Sequence, residues 1–353
     1  MQDRPLCGAL PGEPRHLPPN VAPATDSNTH PATIIIIGVD IAKATLVAAV
    51  YGASASVTVP NTPAAIKAWL KCLPAGACLA MESTGRYHAL LAAQAQAARF
   101  TVYVLNAMDV HHYAKAMGQR GKTDPLDAHL IAQYVAHQLI GQGRKPLRAW
   151  QPTSKVLSEL RDLLNGRVQL SNSCAKLTMA LEHIAPIEEE VKALSACFKK
   201  LMAQIDGKVA QLLASDEQLK QGCKRLRTIT GVGPQGAALL TSLFARIGFA
   251  NSDAVVAFSG LDPRPEDSGT KRGKRRLSKK GDPHIRRQLY LCAMAATRSA
   301  LFRPMYEALK ARGLPTTAAL VVLARKLLRI AFAVWKSGEP FDPIKLQINA
   351  KTA

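Results

Sequence analysis

Residues 33–40 read TIIIIGVD, a nearly unbroken run of β-branched aliphatic side chains ending in an aspartate. Such side chains are stiff at χ1 and favour extended backbone. The run is apolar on both of its faces, so the strand it forms needs cover on both sides. Two more strand candidates follow after short turns, ATLVAAVYG (44–52) and ASVTVPN (55–61). Helix and strand then alternate. TPAAIKAWLKCL (62–73) opens with Thr62 and Pro63, as helices do. ACLAMES (77–83) reads as a strand, YHALLAAQAQAARF (87–100) as a helix and TVYVLN (101–106) as a strand. AMDVHHYAKAMG (107–118) and DPLDAHLIAQYVAHQL (124–139) close the series as helices. Three consecutive strands predict a meander and the later alternation predicts parallel crossovers, giving a mixed sheet flanked by helices.

Four acids fall at informative places on this scheme. Asp40 ends the first strand and Glu82 the fourth, and ligands of α/β sheets collect at the carboxyl ends of strands. Asp124 and Asp127 open the last helix, three residues apart and so on one face. Each alone has an ordinary reading: a turn residue for Asp40, an N-cap for Asp124, a complement to the helix dipole for Asp127. As a set they point to a cation. Crowded carboxylates repel one another unless a positive ion lies among them, and Mg²⁺ suits hard oxygen ligands. Two such ions about 4 Å apart stabilise both the attacking and the leaving oxygen of a phosphodiester.

The charge balance names the partner class. The chain has 353 residues, with 46 Lys and Arg against 25 Asp and Glu, a formal charge of +21. That excess favours polyanions, nucleic acid above all. Seven scattered cysteines with no CxxC pair argue against a disulfide framework or a zinc site and fit a reducing cytosol. No apolar run reaches the roughly 18 residues of a membrane span. The N-terminus lacks the basic and apolar regions of a signal peptide. Residues 1–31 hold seven prolines and read as a disordered leader or as sequence upstream of the true start.

Beyond residue 150 the texture changes. Val156, Leu160, Leu163, Leu164 and Val168, and then Val191, Leu194, Phe198, Leu201, Ile205, Val209 and Leu212, recur at helical spacing. They predict two long helices joined near Pro186, in a hairpin or coiled coil, with Gly166 counting against an unbroken rod. LRTITGVGPQGAALLTSLFA (226–245) sets Gly231 and Gly233 in a turn between helical stretches, where backbone amides can hold a phosphate; it is also a common structural turn. FSGLDPRPEDSGTKRGKRRLSKKGDPHIRRQLY (258–290) is a glycine-punctuated basic loop with nine Lys or Arg and one acid between Lys271 and Arg287. Such a loop is either a solvated surface or a phosphate clamp that releases counterions. Arg286, Arg287 and Tyr290 face it by helical spacing. The last segments, through TTAALVVLARKLLRIAFAVWKSG, read as packed helices.

GVDIAK (38–43), MESTGRYH (81–88) and KTDPLDAHLIA (122–132) resemble the three motifs of the DEDD transposases of insertion sequences, the one-hundred-and-ten type. The strand order is that of a ribonuclease-H-like domain, and the resemblance runs from about residue 34 to 338. It implies a RuvC-like α/β domain at 32–148, a coiled-coil linker at 149–222, and a helical transposase domain at 223–345 with a helix-hairpin-helix-like element. Asp40, Glu82, Asp124 and Asp127 correspond to the DEDD metal ligands, for Mg²⁺, with two ions per site. Lys122 and Thr123 of the same motif touch DNA phosphate. The family's catalytic serine lies in a stretch like PRPEDSG, which carries the role to Ser268, with Ser259 and Ser278 as nearby rivals. Arg264, Lys271 and Arg272 then stabilise the phosphoserine or its transition state, and Lys274, Arg275, Arg276, Arg286 and Arg287 contact nucleic acid.

The implied activity is a bacterial cytoplasmic, nucleoid-associated recombinase acting on donor and target DNA as a homodimer or homotetramer. One protomer's serine would face another's carboxylates. By the same resemblance a bridge RNA chooses the sites by base pairing, and the low aromatic content, 5%, suits backbone and shape recognition. The alternative is a RuvC-like junction or structure-specific endonuclease that uses metal-activated water and leaves Ser268 a bystander. A non-catalytic binding protein is disfavoured because all four acids are present.

Overall fold

The computed structural model describes residues 34–346, apart from 84–86, 120, 122, 140–146, 266, 269, 271–272 and 274. The leader at 1–31 and the candidate contacts Lys122, Lys271, Arg272 and Lys274 lie outside the described residues. The chain divides into two compact units, Met1–Pro152 and Thr153–Ala353.

The first unit is α/β. Its strands are β1 (Ile36–Ile41), β2 (Thr45–Val50), β3 (Ser56–Pro60), β4 (Cys78–Glu82) and β5 (Thr101–Leu105). They form one sheet in the order β3-β2-β1-β4-β5. The β1–β2–β3 meander is antiparallel, and β4 and β5 join parallel to β1 and β4. Helices α1 (Pro63–Lys71) and α2 (His88–Ala97) cover one face, α3 (Ala107–Ala116) and α4 (Asp124–Leu139) the other. β1 feeds both layers, as its two apolar faces require. Ile37, Val39 and Ile41 pack with Ile66, Leu70 and Leu91, whereas Ile36 packs with Ile131, Ala132 and Val135. Full burial of each such aliphatic side chain contributes about 1.5–3 kcal/mol. Thr62 caps α1, accepting the Ala65 amide proton at 3.4 Å, with Pro63 next, as the sequence suggests.

The second unit is helical. α5 (Lys155–Leu181) and α6 (Glu188–Ala214) form a hairpin joined through a 3₁₀ turn at Ala185–Ile187. At its base Leu160, Leu164, Val209 and Leu213 interlock, and Arg167 donates to Asp206 at 2.5 and 2.9 Å across the pair. α5 runs unbroken through Gly166, whose missing side chain opens onto empty space. The second long helix ends at Ala214. Asp216 stops it by capping α7 (Glu217–Leu226), accepting from the Gln218 and Leu219 amides at 2.9 and 3.1 Å. A side chain that bonds its own backbone competes with helix propagation, and apolar spacing does not report that. α8 (Pro234–Arg246), α9 (Ser252–Ser259), α10 (Pro283–Ala296), α11 (Arg303–Ala311) and α12 (Thr316–Ser337) complete the unit. α12 runs through its core, with Leu323, Leu327, Leu328 and Ala331 wholly buried. Between α9 and α10 a ribbon of β6 (Pro263–Arg264) and β7 (Arg276–Leu277) replaces the unstructured loop expected there. Among the described residues no helix is long and apolar enough to cross a membrane.

Candidate active site and nucleic-acid interface

The four acids lie on three elements of one sheet face. Val39 and Met81 are register partners on parallel strands, so Asp40 and Glu82 follow them side by side at the strand ends. Alternation along a strand puts Gly38 and Asp40 on the face of Ile36, and Glu82 on that of Cys78 and Ala80. That face is covered by α4, because Ile36, Cys78 and Ala80 share their core with Leu130, Ile131 and Ala132.

Gly38 fixes how closely α4 lies. A Cβ there would stand 2.1 Å from the Ala128 carbonyl oxygen and 2.5 Å from the Ala132 nitrogen. Ala128 also packs on Val47 and Ala49, the β2 partners of Asp40 and Gly38. The start of α4 therefore lies over the end of β1. Asp127 adjoins Ala128, and Asp124 stands one turn earlier. Neither aspartate caps the helix, as the N-cap reading would have it. The Thr123 carbonyl accepts the Asp127 amide at 2.9 Å, which puts Asp124 and Asp127 inside the first turn. There the positive end of the helix dipole favours carboxylates. Asp40, Glu82 and Asp127 are half-buried and Asp124 is exposed.

In chemistry this donor set fits a hard divalent cation: four carboxylates on a partly desolvated edge, in a chain otherwise strongly basic. In the described conformation, no group of three or more His, Cys, Asp or Glu could hold an ion among the described residues.

The second candidate centre is the ribbon. Ser268 is exposed in a bridge position beyond β6. Asp267 beside it is gripped by Arg275, at 2.6 Å to Oδ1 and 2.9 Å to Oδ2, and accepts the Gly273 amide at 3.1 Å. The Arg275 guanidinium holds the Asp267 carboxyl below the usual carboxylate range, and Asp267 in turn raises Arg275. Arg264 and Arg276 are exposed and directly opposite one another in the register. Neither forms an ion pair with a described acid. Like charges set across a ribbon repel, and a bound phosphate would relieve them.

The rival serines are engaged elsewhere. Ser259 is wholly buried and donates to the Val256 carbonyl at 2.7 Å. Ser278 donates to the Asp262 carboxylate. Arg286 spans the Ser259 and Gly281 carbonyls at 3.1 and 2.6 Å, while Arg287 is exposed. Sequence spacing alone missed the Asp262–Ser278 and Asp267–Arg275 pairs; only the ribbon brings these partners together.

The two glycines of the GVG turn differ. Gly231 has φ +92°, and a Cβ on it would lie 2.6 Å from the Ala296 Cβ and 2.7 Å from the Cys292 carbonyl, so this glycine is needed for packing on α10. Gly233 is the N-cap of α8, without a side-chain cap, and faces open space. Both line an open groove of about 1010 Å³ with Lys220, Lys224 and Arg227 on its rim.

Comparison with known proteins follows the same two units. Residues 37–185 match the DEDD family described as "Transposase", of the IS110 type, and residues 223–307 match "Transposase IS116/IS110/IS902 family". The chain belongs to the IS110-type DEDD transposases. It is similar to the pilin gene-inverting protein of Moraxella bovis, 28% identical over 269 residues, which cover 75% of this chain and 81% of that one. It is also similar to the transposase for insertion sequence element IS1328 of Yersinia enterocolitica, 32% identical over 144 residues, 39% of this chain and 42% of that one. This IS110-type transposase is accordingly an enzyme that cuts and rejoins DNA.

Proposed function

We propose that this transposase breaks and rejoins DNA through a phosphoserine formed on Ser268, with Asp40, Glu82, Asp124 and Asp127 as a divalent-metal site. The observation that supports the reading is the placement of the elements that carry the acids: β1 and β4 end side by side, and Gly38 lets the start of α4 lie close on the same sheet face. The sheet order and the antiparallel meander support a RuvC-like, ribonuclease-H-like unit, and the helices and ribbon at 223–345, beyond the α5–α6 hairpin, are then the transposase domain.

In the reaction, Ser268 Oγ loses its proton and bonds to the scissile phosphorus, and the bond from phosphorus to the 3′ oxygen breaks. The leaving oxygen takes a proton and becomes a free 3′-hydroxyl. Rejoining reverses the step: a 3′-hydroxyl attacks the phosphoserine and the serine is released. A serine hydroxyl is a weak nucleophile until it is activated. Mg²⁺ held by the four carboxylates would supply charge neutralisation and Lewis acidity at the phosphate, with two ions as the fullest complement. Arg264 and Arg276, facing each other beside Ser268's ribbon, bind the phosphate and stabilise the charge that builds on it. Thr123, Gly233 and Arg287 add phosphate contacts. The partners are donor and target DNA, with a bridge RNA choosing sites and a homodimer or homotetramer as the working assembly.

Asp124→Asn tests the reading. It should abolish strand cleavage while leaving DNA affinity within a few-fold of the parent or tighter, since one repulsive charge is gone. Cleavage at the parental rate would remove Asp124 from the site and count against the metal reading.

A further inference from the structure

The segment that carries Ser268 is fastened at its root by side chains that no part of the reaction uses. α9 ends at Gly260 with φ +70°. A Cβ there would meet the Lys280 and Gly281 nitrogens at 2.8 and 2.9 Å. A Cβ on Gly281 would meet the Phe258 carbonyl oxygen at 2.1 Å. The outgoing and returning chains thus touch backbone to backbone, and two glycines make the contact possible. Hydrogen bonds close it: the Lys279 amide donates to the Gly260 carbonyl at 3.1 Å, and the Ser278 amide to the Asp262 carbonyl at 3.0 Å.

Side chains lock the same place from two sides. Ser278 Oγ donates to the Asp262 carboxylate, joining the two strands just below Pro263 and Leu277, the first register pair of the ribbon. Arg286, in the first turns of α10, gives one guanidinium nitrogen to both the Ser259 and the Gly281 carbonyls, so it holds the end of α9 and the start of α10 together. Leu261 and Ile285, next to these residues, are buried in the helical core. Beyond the clasp Arg264, Arg276 and Ser268 are exposed. The clasp sets the course of the arm at its root, and the Asp267–Arg275 pair braces it beside Ser268.

We infer that Asp262, Ser278 and Arg286 are positioning residues for Ser268. They orient the arm that presents the nucleophile and touch neither DNA nor the reacting phosphorus. The inference rests on Ser268 being the nucleophile. It turns Ser278 from a rival into a support: its hydroxyl proton is already directed at a carboxylate within the protein. Misplacement of a reacting group by about 1 Å can cost on the order of 100-fold in rate, so a loosened clasp should act on the chemical step while binding persists.

The experiment is single-turnover formation of the covalent protein–DNA adduct, read beside DNA affinity and thermal stability of the same full-length variants. Ser278→Ala and Arg286→Met should slow adduct formation by at least 10-fold and change DNA affinity by less than about 3-fold. Ser278→Thr, which keeps the hydroxyl, should recover most of the rate. Adduct formation within 2-fold of the parent in both Ser278→Ala and Arg286→Met overturns the inference, as does an equal loss in Ser278→Ala and Ser278→Thr. If Ser278→Ala fails to fold, Asp262→Asn, which keeps an acceptor for the hydroxyl, takes its place and should show a smaller loss in rate. Full parental rate in Asp262→Asn together with Arg286→Lys would also overturn it. The underlying reading fails separately, by an adduct that persists in Ser268→Ala.

Discussion

Replacing Gly38 with alanine should disable a catalytic edge to which Gly38 itself contributes no reacting group. The added Cβ would lie 2.1 Å from the Ala128 carbonyl oxygen, a contact that real Cβ atoms avoid below 3.0 Å, so α4 must recede by about 0.9 Å. The obstacle is backbone and cannot rotate away. Overpacking a core costs about 1–3 kcal/mol, and a rigid neighbour puts this site near the upper end. At roughly 4 °C per kcal/mol for a unit of this size, Tm should fall by about 12 °C. The functional effect should exceed the stability effect. Asp124 and Asp127 ride on the displaced turn, and a shift near 1 Å can cost about 100-fold in rate. The assay is Mg²⁺-dependent strand cleavage well below the variant's Tm, with thermal unfolding and DNA affinity measured in parallel. Gly166→Ala is the control, because nothing lies within 4 Å of that added methyl; it should gain about 0.5–1 kcal/mol from helix propensity. Gly38→Ala cleaving at the parental rate would refute the argument that α4's close approach sets the acids.

Three further outcomes are expected. Arg264→Ala with Arg276→Ala should weaken DNA binding and flatten the slope of log affinity against log salt by about 0.9 for each lost phosphate contact; an unchanged slope would make the arginine pair plain solvated surface. Asp267 should titrate below the ordinary carboxylate range, and Arg275→Ala should return it towards that range, followed by carboxylate NMR. Since the folded-state pKa is the lowered one, whatever the pair contributes is full above the ordinary range and lost as pH falls through the lowered value. Ile131→Ala, at a wholly buried position between α4 and the sheet, should destabilise the first unit by about 2–5 kcal/mol in chemical denaturation.

The α/β unit was legible because each of its signals is local. The two-sided apolar run at 34–37, the Thr62–Pro63 start and the short strand–helix alternation all report on neighbours in sequence, and every strand and helix read there is present. The candidate acids could be placed at strand ends and a helix start for the same reason. Features that depend on distant partners were not legible. Gly38 reads as one more residue of a strand until α4 is laid against it. Asp216 looks like one more polar helix residue until it caps α7. The Asp262–Ser278 clasp joins residues 16 positions apart, through a ribbon whose sequence reads as a charged loop. Gly231 suggested a phosphate-binding amide, yet its positive φ and the press of α10 already account for it.

The most direct test is to trap the reaction midway and ask which atom holds the DNA. The full-length transposase is incubated with its DNA and Mg²⁺, denatured, digested, and the peptides analysed by mass spectrometry. The account predicts a nucleotide joined through its 5′ phosphate to the hydroxyl of Ser268, absent from Ser268→Ala and from Asp124→Asn. Cleaved DNA with free ends and no adduct on any serine would contradict it and leave water as the nucleophile.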